Sequence, residues 1–154
     1  MTLVQKLVIL SCFVPSAVFA AETATLCKAN ETNYFSCKIK NSSKTVSLCG
    51  SDESKTGPWL QYRFGTVSKL ELVYPTTKNG SLKKFEGESH HSAEGGDNTI
   101  SFINGGVRYS VVYLDADSTF YGVWVARSAH DSVEFPCEEK PDLSAFFPLE
   151  SNLE

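Results

Sequence analysis

From residue 33 onward the chain alternates apolar and polar residues with a period of two, and that pattern excludes most folds. Phe35, Cys37 and Ile39 alternate with Ser36, Lys38 and Lys40, and Val46 and Leu48 continue the pattern beyond Asn41-Ser42-Ser43. Leu60, Tyr62 and Phe64 point one way while Gln61 and Arg63 point the other, and Leu70, Leu72 and Tyr74 repeat the arrangement around Glu71. Further strands are expected at Ile100 and Phe102, at Val107 to Tyr113, at Tyr121 to Val125 and at Val133 to Cys137. A period of two is the signature of half-buried strands, and helical spacing is almost absent. Asn79-Gly80 and Asn104-Gly105-Gly106 are tight-turn signals, because Asn and Gly accept positive φ. Asp115-Ala116-Asp117-Ser118 reads as a further hairpin turn. Short strands parted by turns every ten or so residues predict an all-β fold, a single antiparallel β-sandwich or flattened β-barrel of about eight strands.

The first 20 residues carry a different signal. Lys6 precedes an apolar run from Leu7 to Val14, Pro15-Ser16 breaks it, and Ala17-Val18-Phe19-Ala20 supplies small residues for cleavage. This is the layout of a secretory signal peptide over 1–20, and it is too short for a permanent transmembrane segment. The domain is expected to span 21–137, followed by a tail at 138–154, docked or flexible. Localisation is accordingly expected to be periplasmic or secreted.

Export gives the cysteines a meaning. Beyond the signal remain Cys27, Cys37, Cys49 and Cys137, and four cysteines in an exported domain are read as two disulfides. Three pairings are possible. Strand placement favours joining Cys37 to Cys137, first strand to last, with Cys27 then stapled to Cys49. A metal site lacks the usual Cys-x-x-Cys spacing.

Removal of the signal leaves thirteen basic against eighteen acidic groups, a net charge of −5. Such a surface does not suit nucleic acid, which needs clustered Lys and Arg, but it steers a basic partner favourably. Catalytic motifs are missing: there is no Gly-x-Ser-x-Gly elbow, phosphate loop or His-Glu-x-x-His pair, so catalytic residues, metal and cofactor are all expected to be none. The polar stretch from Glu86 to Asn98, with His90 and His91, is expected to be an exposed loop. In the tail, Asp142 is placed to cap a short helix carrying Leu143, Phe146 and Phe147, with Pro148 stopping it.

The signal, the Phe35-Ser36-Cys37 start of a hairpin, the glycine loop before a Tyr-bearing strand (Asn104 to Tyr109) and the closing Cys137 resemble the small periplasmic and membrane-associated lysozyme inhibitors of bacteria. The resemblance implies a non-enzymatic protein, monomer or homodimer, whose partner is a lysozyme-like glycoside hydrolase. It implies a loop inserted into the active-site cleft, with Asn104, Gly105, Gly106, Arg108 and Tyr109 as binding residues. Asn104 stands where the family has a serine, and the family's Lys-Gly motif has no counterpart near Trp124 to Arg127. The alternative is a non-catalytic envelope binding module for a glycan or protein, using Trp59, Tyr62, Tyr121 and Trp124 as a stacking platform.

Overall fold

The computed structural model describes residues 24–51 and 57–153; the expected signal lies outside them. Among the described residues nine strands form two antiparallel sheets. The first sheet holds β1 (Thr32–Lys38), β2 (Thr45–Gly50), β3 (Leu60–Thr66) and β4 (Lys69–Tyr74) in chain order. The second holds β5 (Glu86–Ser92), β6 (Gly95–Asn104), β7 (Val107–Asp115), β8 (Phe120–Ser128) and β9 (Asp131–Pro136). The sheets face each other as a sandwich and do not close into a barrel. Every neighbour in each sheet is the next strand in the chain, so short turns suffice for most connections.

The apolar half of each alternating strand meets in the middle. Phe35, Val46, Leu48, Leu60 and Tyr62 from the first sheet pack against Ile100, Phe102, Val111 and Val123 from the second. Phe102 is central: its ring stacks on Tyr74 at 4.4 Å and on its cross-strand neighbour Tyr109 at 5.0 Å. Offset aromatic stacks of this kind add about 0.5–1.5 kcal/mol each beyond area burial.

At one edge the sheets are tied. Ile39 bridges Cys137 across the sandwich, and the Cys37–Cys137 disulfide lies beside it. The second disulfide joins Cys27 to Cys49. Both pairings are those favoured by strand placement.

Cys27 anchors residues 24–31 over the outer face of the first sheet, and this covering makes that face unusual. Ser36, Ser47, Gln61 and Arg63 take the polar positions of the alternation, yet all are buried. Each finds a partner, as buried polar groups must. Ser36 Oγ donates to Ser47 Oγ at 2.7 Å, and Leu26 N–H donates to Ser47 Oγ at 2.9 Å. Arg63 Nη1 donates to Leu26 O at 2.9 Å and to Glu31 Oε2 at 2.5 Å, while Nη2 donates to Glu31 Oε1 at 3.0 Å and Gln61 Oε1 at 2.9 Å.

Several expectations need correction. Residues 86–98 are not a loop: they build β5 and the start of β6, paired from Glu86↔Ser101 to Ser92↔Gly95. Strand pairing uses backbone groups, so an edge strand whose side chains mostly face water needs no apolar alternation. Pro148 does not stop the tail helix. It is the third residue of α1 (Phe146–Ser151), in the first turn, where a missing N–H removes no intrahelical bond. Finally, Leu70 does not continue the inward row of Leu72 and Tyr74. A register shift sets Phe64 opposite Leu72 but Gly65 opposite Leu70, leaving Glu71 as the extra residue of a bulge. Leu70 is consequently turned out and exposed.

The tail packs α1 over β5, burying Phe146 and Leu149, but Asp142 does not cap it: Ala145 is the N-cap, Leu143 lies before the helix, and Asp142 accepts the Ser144 N–H ahead of it. The approach is close: a Cβ at Gly87 would lie 2.2 Å from the Glu150 carbonyl oxygen. Among the described residues no helix is long and apolar enough to cross a membrane.

Candidate functional site

The β6–β7 hairpin is the longest in the molecule, with Asn104 pairing Val107 around the two-residue turn Gly105-Gly106. Both glycines take left-handed φ, 60° and 80°, as this turn demands. Both are exposed, and nothing lies within 4 Å of a Cβ built at either, so a side chain there would meet open space. From Thr99 to Tyr113 the hairpin carries a single charge, that of Arg108.

The five residues expected to bind do not form one constellation. Asn104, Gly105 and Gly106 make the tip. Arg108 and Tyr109 are consecutive in a strand and therefore face opposite sides. Arg108 lies on the outer face, where Nη1 donates to Ser101 Oγ at 2.7 Å and pairs with Glu86 Oε2 at 3.3 Å. Its side chain remains 41% exposed, so the guanidinium is held in place while still reaching solvent. Tyr109 faces the core, against Phe102 and, at 6.1 Å, Tyr62. Its place is in the hairpin's footing.

Sequence reasoning missed Ile103. It pairs with Arg108 across the hairpin on the same outer face, and is 53% exposed where alternation within β6 offers no warning beyond its position. An apolar group beside a fixed cation thus flanks the tip. Glu71 was missed for a different reason. Alternation assigns it to the solvent face, but at the bulge it joins the residues lining a cavity between the sheets, and its carboxylate pairs with Lys44.

The four aromatics considered as a stacking platform do not share a face. Tyr62 is buried in the core, and Tyr121 stacks on Tyr113 at 5.5 Å against the core. Trp124 is on the opposite side of β8 from Val123 and Val125, beside Phe120. Trp59 lies just ahead of β3 with the Lys78 ammonium 3.7 Å over its ring. His90 and His91 engage in small contacts of their own: His90 Nδ1 approaches Asp97 at 3.6 Å, and His91 Nε2 hydrogen-bonds Ser89 at 2.8 Å. Among the described residues no group of three or more His, Cys, Asp or Glu is placed to hold a metal.

Two groups are strongly perturbed. Burial alone would raise the Glu31 carboxyl, but hydrogen bonds from Arg63, the Lys28 N–H and Lys78 outweigh it and lower it to about 2. Burial pushes the Tyr62 phenol well above its ordinary value, with Tyr109 nearby adding to the effect, so it stays neutral. Compared with protein-family models, with curated proteins and with solved structures, the chain matches none.

Proposed function

We propose that the protein is an exported binding protein without catalysis of its own, which inserts its β6–β7 hairpin into the cleft of a lysozyme-like glycoside hydrolase. The observation carrying this reading is the tip itself. It is an exposed two-residue glycine turn, on a hairpin whose outer part, Thr99 to Tyr113, carries one charge, a cation. A glycosidase cleft holds two carboxylates, so a plug must be narrow, rich in donors and free of negative charge. The amides of the turn and the Asn104 carboxamide supply neutral donors, and Arg108 supplies charge-assisted ones. The footing of Tyr109 on Phe102 keeps the hairpin rigid, which lowers the entropic cost of insertion. The net negative charge of the remaining surface speeds encounter with a basic enzyme.

The test is inhibition of c-, i- and g-type lysozymes by oxidised protein spanning residues 21–154. One class should be inhibited, and Asn104→Ala with Arg108→Ala should weaken inhibition by about a hundredfold together, the loss expected of removing two interface anchors. Absence of inhibition across the panel, or equal inhibition by the double variant, refutes the proposal. In that event the glycan or envelope-protein reading is next, though its aromatic platform is not assembled.

A further inference from the structure

Between the two sheets lies a cavity of about 400 Å³. Residues of four hairpins contribute to its lining. Ile39 precedes the β1–β2 turn, Phe64 and Leu72 flank the β3–β4 turn, Tyr109 follows the β6–β7 turn, and Val125 and Phe135 flank the β8–β9 turn. We propose that this cavity binds a neutral single-chain amphiphile, such as an aliphatic alcohol, ester or amide, with the chain between the sheets and the polar head at Glu71. The proposal does not depend on the hydrolase reading.

Volume and wall chemistry select the chain. Small-molecule sites are typically ~300–1,000 Å³, mostly apolar, with a few placed polar groups. Here the wall is aliphatic and aromatic, and its polar residues are Tyr62, Tyr109 and Glu71. A cavity with apolar walls holds water poorly and gains contacts when an apolar molecule fills it. The apolar surface also continues past the mouth. Val133 pairs with Val125 on the same face of the second sheet and is 54% exposed, where it would cover the outer part of a chain.

Charge selects the head. Glu71 reaches the cavity only because of the bulge that also turns Leu70 outward, and bulges commonly re-aim a side chain beside a functional site. The bulge requires Gly65, whose φ is 143° and whose Cβ would meet Lys69 O at 2.4 Å. At the mouth Glu71 is paired with Lys44, and both side chains are about one-third exposed. A carboxylate head would compete with Glu71 for Lys44, and an ammonium head would compete with Lys44 for Glu71, so either charge must break a pair already made. A neutral head meets no like charge: it can donate to Glu71 and accept from Lys44 or from a neutral tyrosine.

The experiment titrates the oxidised protein, residues 21–154, with 1-decanol, decanoate and decylamine below their aggregation concentrations, read by amide chemical-shift changes. Decanol should bind saturably at one site, with shifts centred on Phe64, Leu72, Tyr109 and Phe135, and about tenfold tighter than either charged analogue. Leu72→Trp or Val125→Trp should fill the cavity and weaken decanol by about tenfold or more. Glu71→Gln leaves Lys44 alone at the mouth and should reverse the order, making decanoate the tighter ligand. Unsaturable or displaced shifts in the unaltered protein overturn the proposal, so its fate does not hang on whether a variant folds. Tighter binding of either charged analogue overturns the assignment of a neutral head.

Discussion

Replacing Glu31 by glutamine perturbs the most concentrated electrostatic interaction in the structure. Glu31 accepts two hydrogen bonds from Arg63 and one from Lys78 at 3.0 Å, and its side chain is only 2% exposed. Arg63 is 5% exposed, so loss of the carboxylate leaves a buried guanidinium with neutral acceptors, Leu26 O, Gln61 Oε1 and one amide oxygen, and without its counter-charge. Removing one member of a buried pair costs about 3–5 kcal/mol. Linkage gives an independent magnitude. A carboxyl lowered from its ordinary 4.5 to about 2 on folding contributes about 3 kcal/mol at neutral pH. The sign follows from the unfolded chain, which binds the proton first as pH falls. The contribution is whole above pH 4.5, declines below it and is gone once pH passes below about 2. Urea denaturation with both disulfides intact, at steps from pH 7 to pH 2, measures both quantities; urea adds no salt to screen the pair. Glu31→Gln should lose about 3 kcal/mol at pH 7 and lack that part of the acid-induced decline. Replacing both partners, Glu31→Leu with Arg63→Met, should recover most of the loss, since neither charge is then left buried alone. A Glu31→Gln protein within about 0.5 kcal/mol of the parent, or one with the same acid profile, would refute the reasoning.

Other perturbations have equally definite outcomes. Phe146→Ala should cost about 3–5 kcal/mol in the same denaturation assay, because it empties a fully buried aromatic site between α1 and Phe35. Replacing Cys37 and Cys137 by serine opens a loop of 100 residues and should remove about 4–5 kcal/mol in the chain-entropy account, seen as a lower melting temperature. Gly87→Ala drives a methyl into the Glu150 carbonyl and should lift α1 from β5, detected as faster amide exchange across β5 and a loss of about 1–3 kcal/mol. By contrast, Asn104→Ala should change stability by no more than about 0.5 kcal/mol, since Asn104 is only half-buried beside an exposed turn; a larger loss would mean that the turn is structural rather than a contact surface.

Much of the fold was legible because sandwich strands write their burial in alternate residues. Phe35, Leu60, Tyr62 and Val111 are inward where the period of two put them, and Gly105-Gly106 turns where glycine permits it. The disulfides followed from that same placement, since Cys37 and Cys137 stand on strands that must meet if the sheet edges join. What alternation could not reveal was any departure from alternation. Strand β5 pairs through its backbone at an edge, so its polar side chains gave no sign of it. Nor could a local pattern tell that Gln61 and Arg63, polar and outward, would be covered by residues 24–31.

The candidate site divides in the same way. The glycine turn, the lone cation beside it and the alternation that separates Arg108 from Tyr109 are properties of adjacent residues, and the sequence alone determined them. Exposure of Ile103, exposure of the turn and the delivery of Glu71 to a cavity depend on strands far apart in the chain. Side-chain direction in a strand is set by local backbone geometry, whereas the neighbours a side chain meets are set by which strands pair and in what register. A one-residue bulge opposite Gly65 was enough to turn Leu70 outward and bring Glu71 to the cavity rim, and only the tertiary structure decided that.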